Sequence, residues 1–242
     1  MADAYNVEVL YDDNHIVIVS KNSSEIVQGD KTGDPTLADA VAAWLKQKYC
    51  KPGRVFVGVV HRLDRPVSGV VVFAKTSKAL SRLNNMFREG SVNKRYLAIV
   101  KNRPPQQEGE LIHWLVRNES KNRSYAYDKE KPGSKKAVLH YRHIASSVNY
   151  HLLEVSLMTG RHHQIRCQLS KIGCPIKGDI KYGAERTNPD GSISLHAFSV
   201  SFEHPVSHNR VTVQASLPED TLWQSFSGVI ERVYPPNQLE LL

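Results

Sequence analysis

His61-Arg62-Leu63-Asp64-Arg65-Pro66-Val67-Ser68-Gly69 sets one carboxylate beside a histidine and between two arginines. An apolar, β-branched run flanks it on each side, Val55-Phe56-Val57-Gly58-Val59-Val60 before and Val70-Val71-Val72-Phe73-Ala74 after. Runs of this kind, bounded by Gly and Pro, read as buried strands. Asp64 is therefore expected in a loop between two strands of a rigid sheet, where chemistry is usually placed. A strand-connecting turn with solvated charges fits the same spacing, and spacing alone leaves both readings open.

Upstream, Val7 to Leu10 and Ile16 to Val19 read as a hairpin turning at Asp12-Asp13-Asn14. Thr36 to Tyr49 reads as a helix, with Thr36 and Asp39 as a capping box. Its apolar stripe includes Leu37, Val41, Trp44 and Leu45, and Trp44 is expected in the core. Downstream, Ser77 to Glu89 reads as a second helix stopped by Gly90. In Asn93 to Val100, strand alternation sends Lys94, Tyr96 and Ala98 to one side. Gly109 to Val116 and Lys136 to Ala145 read as strands joined by a long basic connection over residues 117–136. That connection is either a solvated hairpin or a clamp on phosphates. Tyr150 to Leu157 leads into Thr159-Gly160-Arg161-His162-His163-Gln164-Ile165-Arg166. A helix is predicted from Arg161 to Ile172, with His162, His163 and Arg166 sharing a polar face. His162 and His163 should project in different directions, and neither a carboxylate nor a third histidine stands at ligand spacing, so no metal is expected. Leu222, Phe226, Val229 and Ile230 suggest a last helix, and the tail from Pro235 is expected to be peripheral.

The 242 residues suit a single domain with an ample core. No apolar run approaches the ~18 residues of a membrane span. Residues 1–6 lack the basic and apolar regions of a leader. Three cysteines, odd in number and not spaced Cys-x-x-Cys, point to a reducing compartment, so a cytoplasmic protein is expected. Net charge is +8, which favours a polyanionic partner such as nucleic acid.

The quoted stretch resembles the HRLD-x-x-[TS]-S-G signature of the RluA family of RNA pseudouridine synthases. Three further segments resemble family motifs in the same order: Lys94-Arg95-Tyr96-Leu97-Ala98, Thr159 to Arg166, and Gly173-Cys174-Pro175-Ile176-Lys177-Gly178-Asp179-Ile180-Lys181-Tyr182-Gly183 with Leu195 to Pro205 after it. The resemblance covers roughly Val9 to Pro205. It implies an α+β pseudouridine synthase fold, a mixed, largely antiparallel central sheet flanked by helices and loops, with an active-site cleft across the sheet. It implies one catalytic domain over residues 1–242 without the family's N-terminal RNA-binding domain, for which fewer than ten residues leave no room.

The resemblance also implies the chemistry, in which uracil is detached, turned and rejoined through carbon 5 without a cofactor. Asp64 matches the catalytic carboxylate, acting as nucleophile or as base and electrostatic stabiliser. Tyr96 matches the tyrosine that packs on the flipped base, and Arg166 the arginine that holds the aspartate ionised. Arg62 matches the residue that fills the vacated stack. Arg65, Lys94 and Arg161 are assigned to RNA phosphates, and His61, His163 and Gln164 to the substrate RNA. Two departures stand out. The family's Lys-Pro after the second strand is here Lys21-Asn22, and its histidine two residues past the arginine is Gln168, a position expected to be peripheral. Asp179 is expected to support the site from beneath. The implied partner is large-subunit ribosomal RNA or transfer RNA, bound by a monomer with no membrane involved. A non-catalytic RNA-binding or RNA-chaperone protein on the same fold is the competing class.

Overall fold

The structure is a computed structural model and describes residues 6–29 and 33–235. The start of the chain, read for a leader, and the tail beyond Pro235 lie outside the described residues. In chain order the elements are β1 (Glu8–Asp12), β2 (Ile16–Lys21), α1 (Leu37–Lys48), β3 (Gly58–Val59), β4 (Ser68–Ala74), α2 (Ser77–Glu89) and β5 (Asn93–Val100). There follow β6 (Glu108–Asn118), β7 (Arg123–Tyr127), β8 (Lys135–Ser146), β9 (His151–Leu157), α3 (Gln164–Lys171), a 3-10 turn (Ile180–Tyr182), β10 (Leu195–Glu203), β11 (Arg210–Gln214), α4 (Thr221–Ser225) and α5 (Ser227–Val233). The fold class is the α+β one expected, with antiparallel strand pairing throughout the named ladders.

The chain forms two compact units. Of the described residues, the first contains those through Val92 together with Ala197–Ser216. Its strands run β1-β2-β4-β10, with β11 beside β10 and β3 beside β4. Ile16, Ile18, Val70 and Val72 turn one face toward Ala79 and Leu83 of α2 and toward Phe202, Val211 and Val213. The alternate residues Val17, Val19, Val71 and Phe73 are equally buried, so both faces are covered. This is why β2 and β4 read as continuous apolar runs rather than alternating ones. Each such side chain contributes about 1.5–3 kcal/mol by leaving water. The Thr36–Asp39 capping box of α1 forms as expected. Trp44 is only half-buried, with the Lys48 ammonium 4.6 Å from its ring centroid.

The run before the signature is shorter as a strand than its composition predicts. Only Gly58 and Val59 pair, opposite Ala74 and Phe73, and Phe56 is 47% exposed. The physical reason is competition, because β10 also lies beside β4 and leaves two positions of that edge for β3. Gly69 marks the close approach. Its φ is +114°, and a Cβ there would stand 2.2 Å from the Ala197 carbonyl oxygen. Gly69→Ala is expected to cost about 2–3 kcal/mol, from backbone strain and forced strand separation. A melt should show Tm lowered by about 5–10 °C, and an unchanged Tm would contradict this contact.

Of the described residues, the second unit contains Asn93–His196 and residues 217–235. Its strands run β5-β9-β8-β6-β7. Leu97, Ile99, Leu139, Tyr141, Leu152 and Val155 are buried within it. The basic connection expected over residues 117–136 is not one long loop. β7 divides it into two turns, and Tyr125 and Tyr127 are strand residues opposite Val116 and Trp114. The predicted last helix is two short ones, α4 and α5, that meet at Phe226.

Candidate active site

Asp64 lies in the turn between β3 and β4, and the turn is fastened from both ends. The Val67 N–H donates to the Asp64 carbonyl (3.0 Å), and the Ser24 N–H to that of Arg65 (2.9 Å). Lys21, at the end of β2, is 1% exposed and sends its ammonium into the same turn. It donates to the carbonyls of Val67 (2.6 Å), Arg65 (3.1 Å) and Asn22 (2.9 Å). Burial pulls the Lys21 pKa down to about 8, while the carboxylates of Glu25 and Asp64 push it the other way. Lys21 is thus a buried cation in electrostatic contact with Asp64. The sequence singled it out only for its missing proline. The segment that departs from the family pattern is the clamp itself: Glu25 accepts from the Asn22 N–H (2.9 Å) and shapes the turn that delivers Ser24 to Arg65.

The other signature residues divide. Arg62 is exposed. Arg65 is exposed and paired with Asp34 at 2.6 Å. His61 is engaged inside the protein, where its Nε2 accepts from the Val72 N–H (3.0 Å) and its ring stacks on Phe87, with centroids 4.7 Å apart. Its ring extends the β3–β4 contact by side-chain means.

In the second unit, Tyr96 is nearly buried on β5, opposite Val155. Lys94 lies two residues before it and is half-buried, and burial lowers its pKa. A Cβ on Gly160 would be 3.9 Å from the Lys94 ammonium, so the Thr159-Gly160-Arg161 turn adjoins this strand. Gln164 builds that turn. Its amide oxygen accepts from the Thr159 hydroxyl (2.8 Å) and the Arg161 N–H (3.0 Å), and its amide nitrogen donates to the Val138 carbonyl (3.1 Å). Arg161 is exposed and donates through Nε to the Lys136 carbonyl (3.0 Å).

This turn displaces the predicted helix start from Arg161 to Gln164. His163 takes a left-handed conformation (φ 52°) ahead of the helix. The two histidines therefore do not project apart. Their rings stack with centroids 3.8 Å apart, and His162 precedes the helix rather than sharing a face with Arg166. The Tyr182 hydroxyl accepts from the Ser124 N–H (2.8 Å) and is hydrogen-bonded to His163 Nδ1 (2.9 Å). Burial pushes the Tyr182 phenol up to about 12, which keeps the hydroxyl protonated. Gln168 is fully buried, not peripheral, and its amide nitrogen donates to the carbonyls of Leu111 (3.1 Å) and Ala137 (3.3 Å).

Arg166 is 5% exposed and meets Asp179, 2% exposed, through two hydrogen bonds. Nε donates to Oδ2 (2.6 Å) and Nη2 to Oδ1 (2.9 Å).

Residues 15–171, which span the fastened turn, Tyr96 and Arg166, match the RNA pseudouridylate synthase family. The chain belongs to that family. Its class of activity is that of an isomerase, an RNA pseudouridine synthase, and the resemblance to the RluA family holds over most of the chain. It is 34% identical over 224 residues to the ribosomal large subunit pseudouridine synthase D of Zymomonas mobilis, covering 88% of this chain and 70% of that protein. The ribosomal large subunit pseudouridine synthase C of Rickettsia typhi is 30% identical over 213 residues, covering 87% and 68%. Human RNA pseudouridylate synthase domain containing 4 shares the fold, with a TM-score of 0.74 and 22% identity over 93% of this chain and 92% of that one. No helix among the described residues is long and apolar enough to cross a membrane.

Proposed function

We propose that this protein converts uridine to pseudouridine in large-subunit ribosomal RNA, in the cytoplasm, with Asp64 as the catalytic carboxylate. The family match carries this reading, and the names of its relatives supply the substrate. Asp64 acts at the glycosidic carbon and must be ionised to do so. Lys21 supports that state from within the turn, and Arg166 has the role that the family resemblance gives it, keeping the aspartate ionised. The target uridine leaves the RNA stack at a cost of a few kcal/mol. Tyr96 packs on the extruded base and Arg62 fills its place. Arg65, Lys94 and Arg161 bind phosphates, which gives affinity and salt dependence rather than sequence choice. His61, His163 and Gln164, whose polar groups are engaged inside the protein, hold the motif loops in shape.

The test is tritium release from 5-tritiated-uridine RNA by the purified protein, run on large-subunit ribosomal RNA and on transfer RNA. Release from the ribosomal transcript alone is the expected result, matched by one pseudouridine lost from that RNA in cells lacking the gene. Release from transfer RNA alone would reassign the substrate. No release from either would remove the enzymatic reading.

A further inference from the structure

Asp179 is a buried acid to which this scheme gives no role. Asp179 opens a short turn whose geometry is closed on itself, for its carbonyl accepts from the N–H groups of both Tyr182 and Ala184 (3.0 Å each). The turn brings two side chains to Arg166. Asp179 grips the guanidinium side-on, through Nε and Nη2. The Tyr182 ring lies against it, with the guanidinium carbon 5.1 Å from the ring centroid. That ring is in turn held by its hydroxyl between the Ser124 N–H and His163. A planar fork held by two bonds on one edge, with its central carbon over a tyrosine ring, is fixed in orientation. The other edge, made of Nη1 and the outer Nη2 hydrogen, is thereby aimed away from Asp179. A buried ion pair is a poor source of stability, since desolvating both charges offsets most of their attraction. What this pair supplies distinctly is a direction.

We propose that Asp179 and Tyr182 are positioning residues, which fix the orientation in which the Arg166 guanidinium takes part in turnover. Neither touches the RNA. The inference rests on the proposed reading of Asp64 as the catalytic carboxylate and of Arg166 as the arginine that keeps it ionised.

The test is a double-mutant cycle on turnover, using Asp179→Asn, Arg166→Lys and the double variant, with tritium release from ribosomal RNA as the assay. Arg166→Lys keeps the charge but not the fork. Asp179→Asn is expected to lower kcat about 10- to 100-fold, the loss typical of a misplaced catalytic group. KM should stay within about threefold, since the residue makes no contact with RNA in this scheme. Arg166→Lys should lose at least as much, and the double variant no more than Arg166→Lys alone, because Asp179 acts only through Arg166. Multiplicative losses, or a raised KM with kcat intact, would overturn the inference. If Asp179→Asn does not fold, Tyr182→Phe decides. It keeps the ring and removes the two hydroxyl bonds, so kcat should fall severalfold at unchanged KM, and full activity overturns the inference. An Asp64→Asn protein that still turns over would overturn both this inference and the reading it rests on. An inactive Asp64→Asn beside a fully active Asp179→Asn would overturn this inference alone.

Discussion

Asp64→Asn is expected to reduce tritium release by about 10⁴-fold or more, the scale seen when a group that reacts directly is removed. RNA affinity should stay within about threefold, because the change is isosteric and phosphate contacts supply most of the binding. The amide cannot act as a nucleophile or base at the glycosidic carbon. The turn that carries it should survive, since the bonds described around it are made by backbone carbonyls and by Lys21. A melt of the variant within a few degrees of wild type would confirm an intact fold. Gel-shift affinity retained with turnover lost separates an enzyme from an RNA-binding protein on the same scaffold. Turnover retained would show that Asp64 is a turn residue after all, the alternative that spacing left open.

The strands and helices were legible wherever one rule acted alone. The Thr36–Asp39 box, the Ser77–Glu89 helix and the β5 strand each follow from a local pattern. The misreadings fall where a distant partner or a side-chain bond to the backbone of a turn intervenes. β3 is short because β10 lies beside the same strand of the sheet. α3 begins late because Gln164 uses its side chain to close the preceding turn, a choice no helical periodicity reveals. Gln168, expected to be peripheral as a departure from the family motif, lies against the carbonyls of β6 and β8. The candidate site follows the same division. Motif resemblance marks Asp64, Tyr96 and Arg166, while Lys21 and Asp179 act through contacts 46 and 13 residues away along the chain. A buried lysine among apolar strand residues was the one available signal for Lys21.

Lys21→Met is expected to damage both stability and turnover, and it tests how the Asp64 turn is held. Methionine fills the space of the lysine stem but donates nothing. The carbonyls of Val67 and Asn22 lose the Lys21 donor, while Arg65 keeps the Ser24 N–H. An unmet buried acceptor costs about 1–3 kcal/mol, and the Val67 carbonyl is the buried one of the two, so the loss is about 1–2 kcal/mol after the burial penalty of the ammonium is returned. The loosened turn should lower kcat about 10- to 100-fold with little change in KM. The linkage has a definite sign. The folded-state pKa of Lys21 is about 8, below its unfolded value of 10.5. Between those values the unfolded chain binds the extra proton, so wild-type stability rises with pH at up to about 1.4 kcal/mol per unit. Lys21→Met lacks that slope. Denaturant titrations at pH 7.5 and 9.5 should therefore show the gap between wild type and variant widening at the higher pH. A gap that narrows instead would mean that the full ammonium charge, rather than its place among the carbonyls, holds the turn together.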